Sequence, residues 1–210
     1  MNRLTQLRLT LSDGRSKSVD VESDTRLVDL SDRSIAAIDL SELDALEELE
    51  ELDLCENHLM TIDLSVFAFC PTIRTLKLDK NRFRVIDLTP LSYCASLENL
   101  SLRENQLIRV DLSPLSGCQN LKKADLSENQ LVALDLAPLS KCLKLEEFHL
   151  LGNNLRRLDL SALFSCASLR ILEAPEETRL VSRTEPKIDL LNPPALNELI
   201  ASDRIEFVTE

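Results

Sequence analysis

This 210-residue chain contains few of the residues on which catalytic and small-molecule sites depend. It has 3 glycines, 2 histidines, 1 tyrosine and no tryptophan, and aromatic residues make up 3% of the total. No P-loop, G-x-G-x-x-G, H-E-x-x-H or G-x-S-x-G sequence occurs, which excludes the common nucleotide, zinc-protease and serine-hydrolase motifs. The scarcity of aromatic residues argues against a carbohydrate or small-molecule pocket, because such pockets need convergent aromatic side chains.

Long apolar segments are also missing. No apolar run approaches the length of a membrane span, and Met1 to Leu4 lead into alternating polar residues without the apolar core of a secretory signal. The formal net charge is −12, which argues against nucleic acid or an anionic membrane as the main partner. We therefore expect an acidic cytoplasmic protein, and a monomer.

What the chain does contain is a 24-residue pattern that repeats without a slip. The aspartates of this frame are Asp39, Asp63, Asp87, Asp111, Asp135 and Asp159. Its asparagines are Asn57, Asn81, Asn105, Asn129 and Asn153, and its cysteines are Cys70, Cys94, Cys118, Cys142 and Cys166. Such strict spacing indicates one small unit stacked on copies of itself. A stack has a broad surface and no natural deep cleft, which favours binding over catalysis.

The clearest copy of the unit runs from Leu97 to Asn120 and reads LENLSLRENQLIRVDLSPLSGCQN. From Thr25 to Ala174 the chain resembles the leucine-rich repeat family, whose core is L-x-x-L-x-L-x-x-N-x-L, and a degenerate copy follows near Leu196 to Phe207. The resemblance implies an α/β solenoid, a horseshoe with a parallel sheet on the concave face and short 3₁₀ or helical turns on the convex face. It also implies a protein–protein interaction scaffold or adaptor.

Elementary geometry agrees with this resemblance. Leu100 and Leu102 are two residues apart, so both point to the buried side of a short strand, as do their equivalents in the other repeats. Asn105 follows the strand and is expected to bond backbone groups in the turn, which would form a buried asparagine ladder. In the return segment, Ser113 is predicted to be an N-cap ahead of Pro114, and Asp111 to accept a backbone N–H two residues on.

The cysteine column begins with Leu46, so its slot is apolar. We interpret the ladder cysteines as small buried residues in a reducing compartment, and zinc or disulfide pairing remains the alternative. Cys55 lies outside the ladder and is expected on the concave side. A nucleophilic Cys55–His58 pair is conceivable but has no evident oxyanion donor, and His149 would lie roughly 19 Å from Cys55. No catalytic residue, metal site or cofactor is predicted.

The two ends depart from the frame, as solenoid caps do. We divide the chain into an N-terminal β-hairpin cap (1–24), leucine-rich repeats (25–174), and an inserted loop with a degenerate capping repeat (175–210). In the hairpin, Leu9 is predicted to pair with Val19 and Leu7 with Val21. Asp159 and Asp189 are 30 residues apart, which indicates an insertion at 176–187. This loop is either part of the cap or a contact for a partner. Leu196, Leu199 and Ala201 are predicted to form a last strand.

Because residues one frame apart are lateral neighbours, each exposed column can be examined for charge. One column alternates completely in sign, and opposite neighbours stabilise one another, so we assign it to holding the stack in register. Its members are Arg26, Glu50, Arg74, Glu98, Lys122, Glu146 and Arg170. In other columns, Asp53 neighbours Lys77, and Lys80 lies between Glu56 and Glu104. At the N-terminal end of the concave face, by contrast, like charges are adjacent, Asp29 beside Asp53 and Asp32 beside Glu56, and these acids are expected to be largely uncompensated. They form either a dock for a basic partner or a solvated acidic surface.

At the C-terminal end, apolar side chains face outward in a polar field, which marks either a contact site or the area beneath the 176–187 loop. The candidate partner-binding residues come from these two ends and from the concave columns between them. They are Asp29, Glu51, Asp53, Glu56, Lys77, Arg103, His149, Leu151 and Ile171. The alternatives to a protein-binding scaffold are a small-molecule or carbohydrate-binding module and a purely structural, self-associating repeat protein.

Overall fold

Each repeat contributes one strand, a turn and one 3₁₀ helix, and the computed structural model describes residues 4–186 and 192–208 of the chain. The strands are β1 (Leu4–Leu11), β2 (Ser16–Glu22), β3 (Leu27–Asp29), β4 (Ile35–Asp39), β5 (Glu51–Asp53), β6 (Thr75–Lys77), β7 (Asn99–Ser101), β8 (Lys123–Asp125), β9 (Glu147–His149), β10 (Arg157–Asp159), β11 (Ile171–Glu173), β12 (Arg179–Ser182) and β13 (Ile205–Phe207). The 3₁₀ helices are η1 (Ser41–Ala45), η2 (Ser65–Phe69), η3 (Thr89–Tyr93), η4 (Ser113–Gly117), η5 (Ala137–Lys141) and η6 (Ser161–Ser165), and one α-helix, α1, spans Pro194–Ala201.

The concave face is a seven-stranded sheet in the order β11-β9-β8-β7-β6-β5-β3, and all of its strands are parallel. Its register follows the 24-residue frame, so that Leu52 pairs with Leu76 and Leu76 with Leu100. The leucine pairs of the repeat are buried, including Leu100 and Leu102. The parallel concave sheet and the short 3₁₀ turns predicted from the repeat are confirmed.

The asparagine ladder is present and fully hydrogen-bonded. In the copy at Asn105, the side-chain amide donates to the carbonyls of Leu78, Leu102 and Arg103 at 3.0, 3.1 and 3.2 Å. Its carbonyl oxygen accepts the backbone N–H of Phe83, one repeat earlier, at 3.2 Å. One buried side chain therefore satisfies backbone groups of two successive turns, which apolar surroundings would otherwise leave unpaired at a cost in free energy.

We predict that Asn105→Ala lowers the free energy of unfolding by at least about 2 kcal/mol, because several buried backbone groups lose their partners at once. Urea denaturation followed by circular dichroism measures the change. Gln106→Ala is the matched control, since Gln106 is the exposed neighbour of Asn105 and we expect it to change the free energy of unfolding little. Equal effects of the two substitutions would contradict a structural role for the ladder.

The convex turns begin differently from the prediction. Ser113 is not an N-cap: it is the first residue of η4, and Leu112 occupies the cap position without a side-chain hydrogen bond. The carboxylate of Asp111 instead accepts the N–H of Ser113 at 2.8 Å, as predicted for the aspartate column. Hydrogen bonds with Ser113 lower the pKa of Asp111. Because the aspartate already holds the free N–H, the helix starts one residue earlier than a serine cap would allow. The same bond recurs in the other five repeats.

The five ladder cysteines are buried behind the 3₁₀ helices. From Cys94 onward, each thiol lies within hydrogen-bond distance of a backbone carbonyl in the preceding turn. Cys118 donates to Leu91 at 3.2 Å and Cys142 donates to Leu115 at 3.3 Å. Burial raises the pKa of the Cys118 thiol to about 12, so this thiol stays protonated and unreactive at neutral pH.

The N-terminal hairpin forms, but its predicted register is wrong. Leu7 pairs with Val19 and Thr5 with Val21, two residues away from the expected alignment. The loop is centred on Asp13, and Gly14 follows with a φ of 84°, the left-handed last position of a three-residue hairpin loop. The predicted pairing of Leu9 with Val19 would instead centre the turn on Gly14. On its other edge, β1 pairs antiparallel with β4, which attaches the hairpin to the first repeat.

The C-terminal end also differs from the prediction. Leu196, Leu199 and Ala201 belong to the helix α1 and not to a strand. Pro194 at the first turn and the helix-forming sequence ALNELIA explain the change, since Leu196, Leu199 and Ile200 then share one inward face. Part of the predicted 176–187 loop is the strand β12, which pairs in parallel with β10 and β13. Asp189 and Lys187 lie outside the described residues.

Candidate interaction face

The concave sheet presents three rows of outward side chains, one residue from each strand or strand end in each row. All nine candidate residues lie on this face or its rim, but they are spread over six of the seven strands, across about 29 Å from β3 to β11. They form an acidic end, a central region and a C-terminal end. These three regions differ in how their charges are paired.

At the acidic end, the expectation of unpaired charges is wrong for several residues. Lys77 contacts Glu51 at 2.5 Å and Asp53 at 3.6 Å, and Lys80 contacts Glu56 at 2.9 Å. The bond to Glu51 raises the pKa of Lys77. The contacts of Lys77 with Asp53 and of Lys80 with Glu56 join neighbours in one column, as the frame predicts. The contact of Lys77 with Glu51 crosses between columns, which a comparison of columns one at a time does not reveal.

Asp29 has no ion pair with any of the residues that the structure describes, and it lies beside Asp53 in the pairing of β3 with β5. Its carboxylate accepts the hydroxyl of Ser31 at 2.7 Å and the backbone N–H of Ser31 at 2.9 Å. Both hydrogen bonds lower the pKa of Asp29, and the bond from the Ser31 hydroxyl has the larger effect. Asp29 is therefore a fixed, exposed negative charge at the edge of the sheet, and the neighbouring Asp32 is exposed as well.

The centre of the face holds a groove of about 470 Å³ that the sequence analysis did not find. Its floor contains Thr75, Asn99 and Ser101, whose short polar side chains leave space between charged neighbours. Lys77, Arg103 and Lys123 border it, together with Asp79 and Asp125. The signal that could have identified it is the run of small polar residues in adjacent repeats, since small side chains in a row of long ones create a depression.

Asp79 is a half-buried acid of this groove. Its carboxylate accepts the hydroxyl of Ser101 at 2.5 Å and the backbone N–H of Arg103 at 2.8 Å. Burial raises the pKa of Asp79 despite these bonds, and the charge of Asp125 acts in the same direction. The guanidinium of Arg103 pairs with Glu104 at 3.1 Å, at the rim of the sheet. The groove therefore contains charges that hydrogen bonds and ion pairs hold in position.

At the C-terminal end, His149 lies between two carboxylates, 2.6 Å from Glu173 and 3.3 Å from Glu147. Leu151 is 40% exposed, so the segment that follows β11 does not bury it. Ile171 is only half-buried on the last concave strand. An apolar surface at this end is therefore accessible beside a network of ion pairs.

The alternating charge column forms the edge of the sheet where the strands begin. Arg74 contacts Glu50 at 3.4 Å and Glu98 at 2.7 Å, and Lys122 contacts Glu98 at 2.6 Å. Arg26 and Arg170 also contact their neighbours Glu50 and Glu146, both at 3.4 Å. Among the described residues, one link of the column is open, since no Lys122–Glu146 ion pair occurs. These contacts support the structural assignment of the column.

Cys55 is half-buried on the concave side, and burial together with the nearby carboxylate of Asp53 raises its thiol pKa, which disfavours a nucleophilic thiolate.

No group of three or more metal-ligating side chains occurs among residues 4–186 and 192–208. Across the same residues, no helix is long and apolar enough to span a bilayer.

Comparison with known proteins identifies the repeat. A family model described as leucine rich repeat matches residues 71–131, the central repeats that carry the groove. The described solenoid has the leucine-rich repeat fold. No curated protein matches the sequence significantly.

Solved structures share the leucine-rich repeat fold. The functional domain of InlJ from Listeria monocytogenes, which includes a cysteine ladder, aligns with a TM-score of 0.60 and 22% identity over 82% of this chain. Internalin C2 from L. monocytogenes aligns with a TM-score of 0.53 and 26% identity, also over 82% of this chain. The plant peptide hormone receptor RGFR1, in complex with RGF2, aligns with a TM-score of 0.58 and 22% identity over 67% of this chain. This chain spans 34%, 65% and 22% of those three chains, less than two thirds of each.

We predict that Asp79→Asn raises the thermal unfolding midpoint of this leucine-rich repeat chain at neutral pH. A raised pKa in the folded state means that Asp79 favours folding when protonated and disfavours it as pH rises through that pKa. The amide keeps an oxygen acceptor for Ser101 and Arg103 without a buried charge. The advantage should disappear below about pH 3, where the wild-type carboxyl is also neutral.

Asp111→Asn is the control of opposite sign. The pKa of Asp111 is lowered, so its contribution to stability is present above the unfolded-state pKa and is lost as pH falls. We expect this substitution to lower the midpoint at neutral pH and to match wild type in acid. Scanning calorimetry between about pH 3 and pH 7 compares the three proteins. An Asp79→Asn variant less stable than wild type at pH 7 would contradict the prediction.

Proposed function

We propose that this chain is a non-enzymatic scaffold or adaptor that binds a polypeptide partner across its concave face. The observation that carries the proposal is the central groove, where hydroxyl and amide side chains form a floor between fixed charges. Hydroxyl and amide groups both donate and accept hydrogen bonds, so they match the alternating N–H and C=O groups of an extended peptide. None of the residues lining the groove is aromatic, which favours a peptide over a sugar or a small apolar ligand.

The ends of the face would add specificity. Asp29 and Asp32 offer negative charge at one end, and Leu151 and Ile171 offer apolar surface at the other. We therefore propose a partner with a basic segment, followed at a distance of several strands by apolar side chains. A plant receptor with this fold, RGFR1, is a peptide hormone receptor in complex with RGF2, which agrees with a polypeptide ligand.

A cytoplasmic location is part of the proposal. Its support is the cysteine ladder, in which the thiols of Cys94, Cys118, Cys142 and Cys166 are hydrogen-bond donors to carbonyls and therefore fit the reduced state. Fractionation of cells producing the full-length protein tests the location independently of any partner.

Peptide display followed by calorimetry tests the binding face. Peptides selected on the wild-type protein should bind Asn99→Trp at least about tenfold more weakly, because a bulky side chain fills the groove without changing the charge. Ala133→Trp is the matched control, since Ala133 is exposed in the turn region of its repeat, outside the concave strands. Equal affinity of selected peptides for wild type and Asn99→Trp would reject the groove as the binding site.

The acidic end has its own test. The double substitution Asp29→Asn and Asp32→Asn removes two charges but keeps the side-chain acceptor for Ser31 and the left-handed backbone of Asp32, which asparagine tolerates. We expect basic peptides to bind this variant roughly twofold to tenfold more weakly at low salt. The difference should shrink at high salt because exposed charges are screened. A difference that salt does not change would contradict an electrostatic role.

A further inference from the structure

The convex surface carries an apolar patch that neither the repeat pattern nor the concave face explains. The residue before the ladder cysteine is Phe69 in one repeat and Tyr93 in the next, and these side chains are 72% and 67% exposed. Pro71 and Ala95, directly after the cysteines, are exposed as well. The 3₁₀ helices η2 and η3 that precede these residues pack against each other, so the four residues form one continuous surface, which we name the convex patch. Exposed patches with aromatic residues are typical of protein contacts.

A notch adjoins the convex patch. The next repeat has Gly117 at the position of Phe69 and Tyr93, so the row of side chains is interrupted there. An open depression of about 840 Å³ begins at Ala95 and ends at Lys141, Leu143 and Lys144. A Cβ on Gly117 would lie 2.2 Å from the carbonyl oxygen of Ser92, so the contact between these turns excludes any larger residue.

The charges around the convex patch are separated by sign. Asp44 and Glu47 lie on the N-terminal side of the patch, and Lys141 and Lys144 lie on its C-terminal side. In the part of the chain that the structure describes, none of these four residues takes part in an ion pair. Lys144 donates to the side-chain oxygen of Asn120 at 2.6 Å. The two charged ends are equally far, two repeats, from Tyr93.

We propose that the convex patch binds a second copy of this chain about a two-fold axis that passes by Tyr93. Such an axis lies in the contact plane and reverses the order of the repeats, so Tyr93 meets its own counterpart. The repeat of Phe69 then faces the repeat of Gly117, and the aromatic ring fills the notch. The acids Asp44 and Glu47 face the lysines of the other copy. The same surface of each copy thus carries the aromatic ring, the notch that receives the other copy's ring, and charged residues of both signs.

A different protein partner fits less well. An acidic partner would match only the lysine end and a basic partner only the acidic end, whereas a reversed copy matches both. The convex patch, the notch and the charged residues on either side together occupy five turns, and only four residues form the apolar part. Stable complexes bury about 800 Å² per partner, so we expect a weak dimer. The expectation of a monomer rests on the net charge, whereas this contact depends on the positions of the charges on the convex side. The concave face remains free, so this contact is independent of the proposed function.

Analytical ultracentrifugation of the full chain tests the association. Between about 1 µM and 1 mM the average mass should rise from one chain towards two and not beyond. Tyr93→Glu places two carboxylates together at the axis, and we expect this variant to remain monomeric. Met60→Glu is the matched control, because Met60 is 64% exposed but lies outside the convex patch. A wild-type mass that stays at one chain, or that grows beyond two, would overturn the proposal.

Charge reversal tests the antiparallel arrangement. Lys141→Glu with Lys144→Glu, and separately Asp44→Lys with Glu47→Lys, should each prevent dimer formation, because like charges then meet at both ends. An equimolar mixture of the two variants should dimerise again, since opposite charges face each other at both ends of the mixed dimer. Thermal unfolding of each variant checks that it is folded. A mixture of folded variants that stays monomeric where wild type dimerises would reject this arrangement.

Covalent capture tests the position of the axis. In a Cys55→Ser background, Tyr93→Cys should form a disulfide-linked dimer with oxidised glutathione, because each new thiol lies next to its symmetry mate. The ladder thiols are buried and should not compete. Met60→Cys in the same background is the control and should stay monomeric. Equal cross-linking of the two variants would show random collision and would contradict an axis at Tyr93.

Discussion

Every turn of this solenoid contains backbone N–H and carbonyl groups that have no hydrogen-bond partner within their own repeat. The fold depends on supplying those partners. The turn after each concave strand brings carbonyls and N–H groups into the apolar interior, where unpaired polar groups are costly. Asn105 and its equivalents resolve this by bonding their own turn and the turn before it. The asparagines therefore connect the repeats as well as closing each one. With the backbone satisfied by one column, the remaining exposed columns are free to vary, and it is in these that the groove and the convex patch occur.

The frame made the interior predictable. Once the spacing of leucine, asparagine, aspartate and cysteine is known, the buried strand positions, the ladder and the aspartate turn follow from periodicity and local hydrogen-bonding capacity. Within the frame, the predicted Ser113 cap was wrong, and the other failed predictions of the fold lie where the frame ends. Gly14 allows two hairpin registers that differ by two residues and keep the same side chains inward, so hydrophobic alternation alone does not separate them. Leu196 and Leu199 suit either a strand or a helix, and Pro194 together with the helix-forming residues after it favoured the helix.

The candidate site was harder to predict than the fold. A comparison of one column at a time pairs Lys77 with Asp53 only. Lys77 also reaches diagonally to Glu51, so more of the negative charge at the acidic end is neutralised than expected. The groove escaped notice because its floor consists of Thr75, Asn99 and Ser101, which carry no charge. Depth in a repeat protein arises from differences in side-chain length between adjacent copies. Comparing the charges of equivalent residues does not reveal such a depression, whereas comparing their side-chain volumes would.

The alternating charge column has a consequence for how such a chain can change length. Removing one repeat would place Glu50 beside Glu98, with no cation between them. Removing two adjacent repeats would bring Glu50 next to Lys122 and preserve the alternation. The charge alternation at the edge of the sheet is thus broken when an odd number of repeats is removed and kept when an even number is removed. The asparagine and cysteine ladders do not depend on this number. Duplications and deletions that respect this parity leave the edge electrostatically intact, so the unit of growth for this solenoid is a pair of repeats.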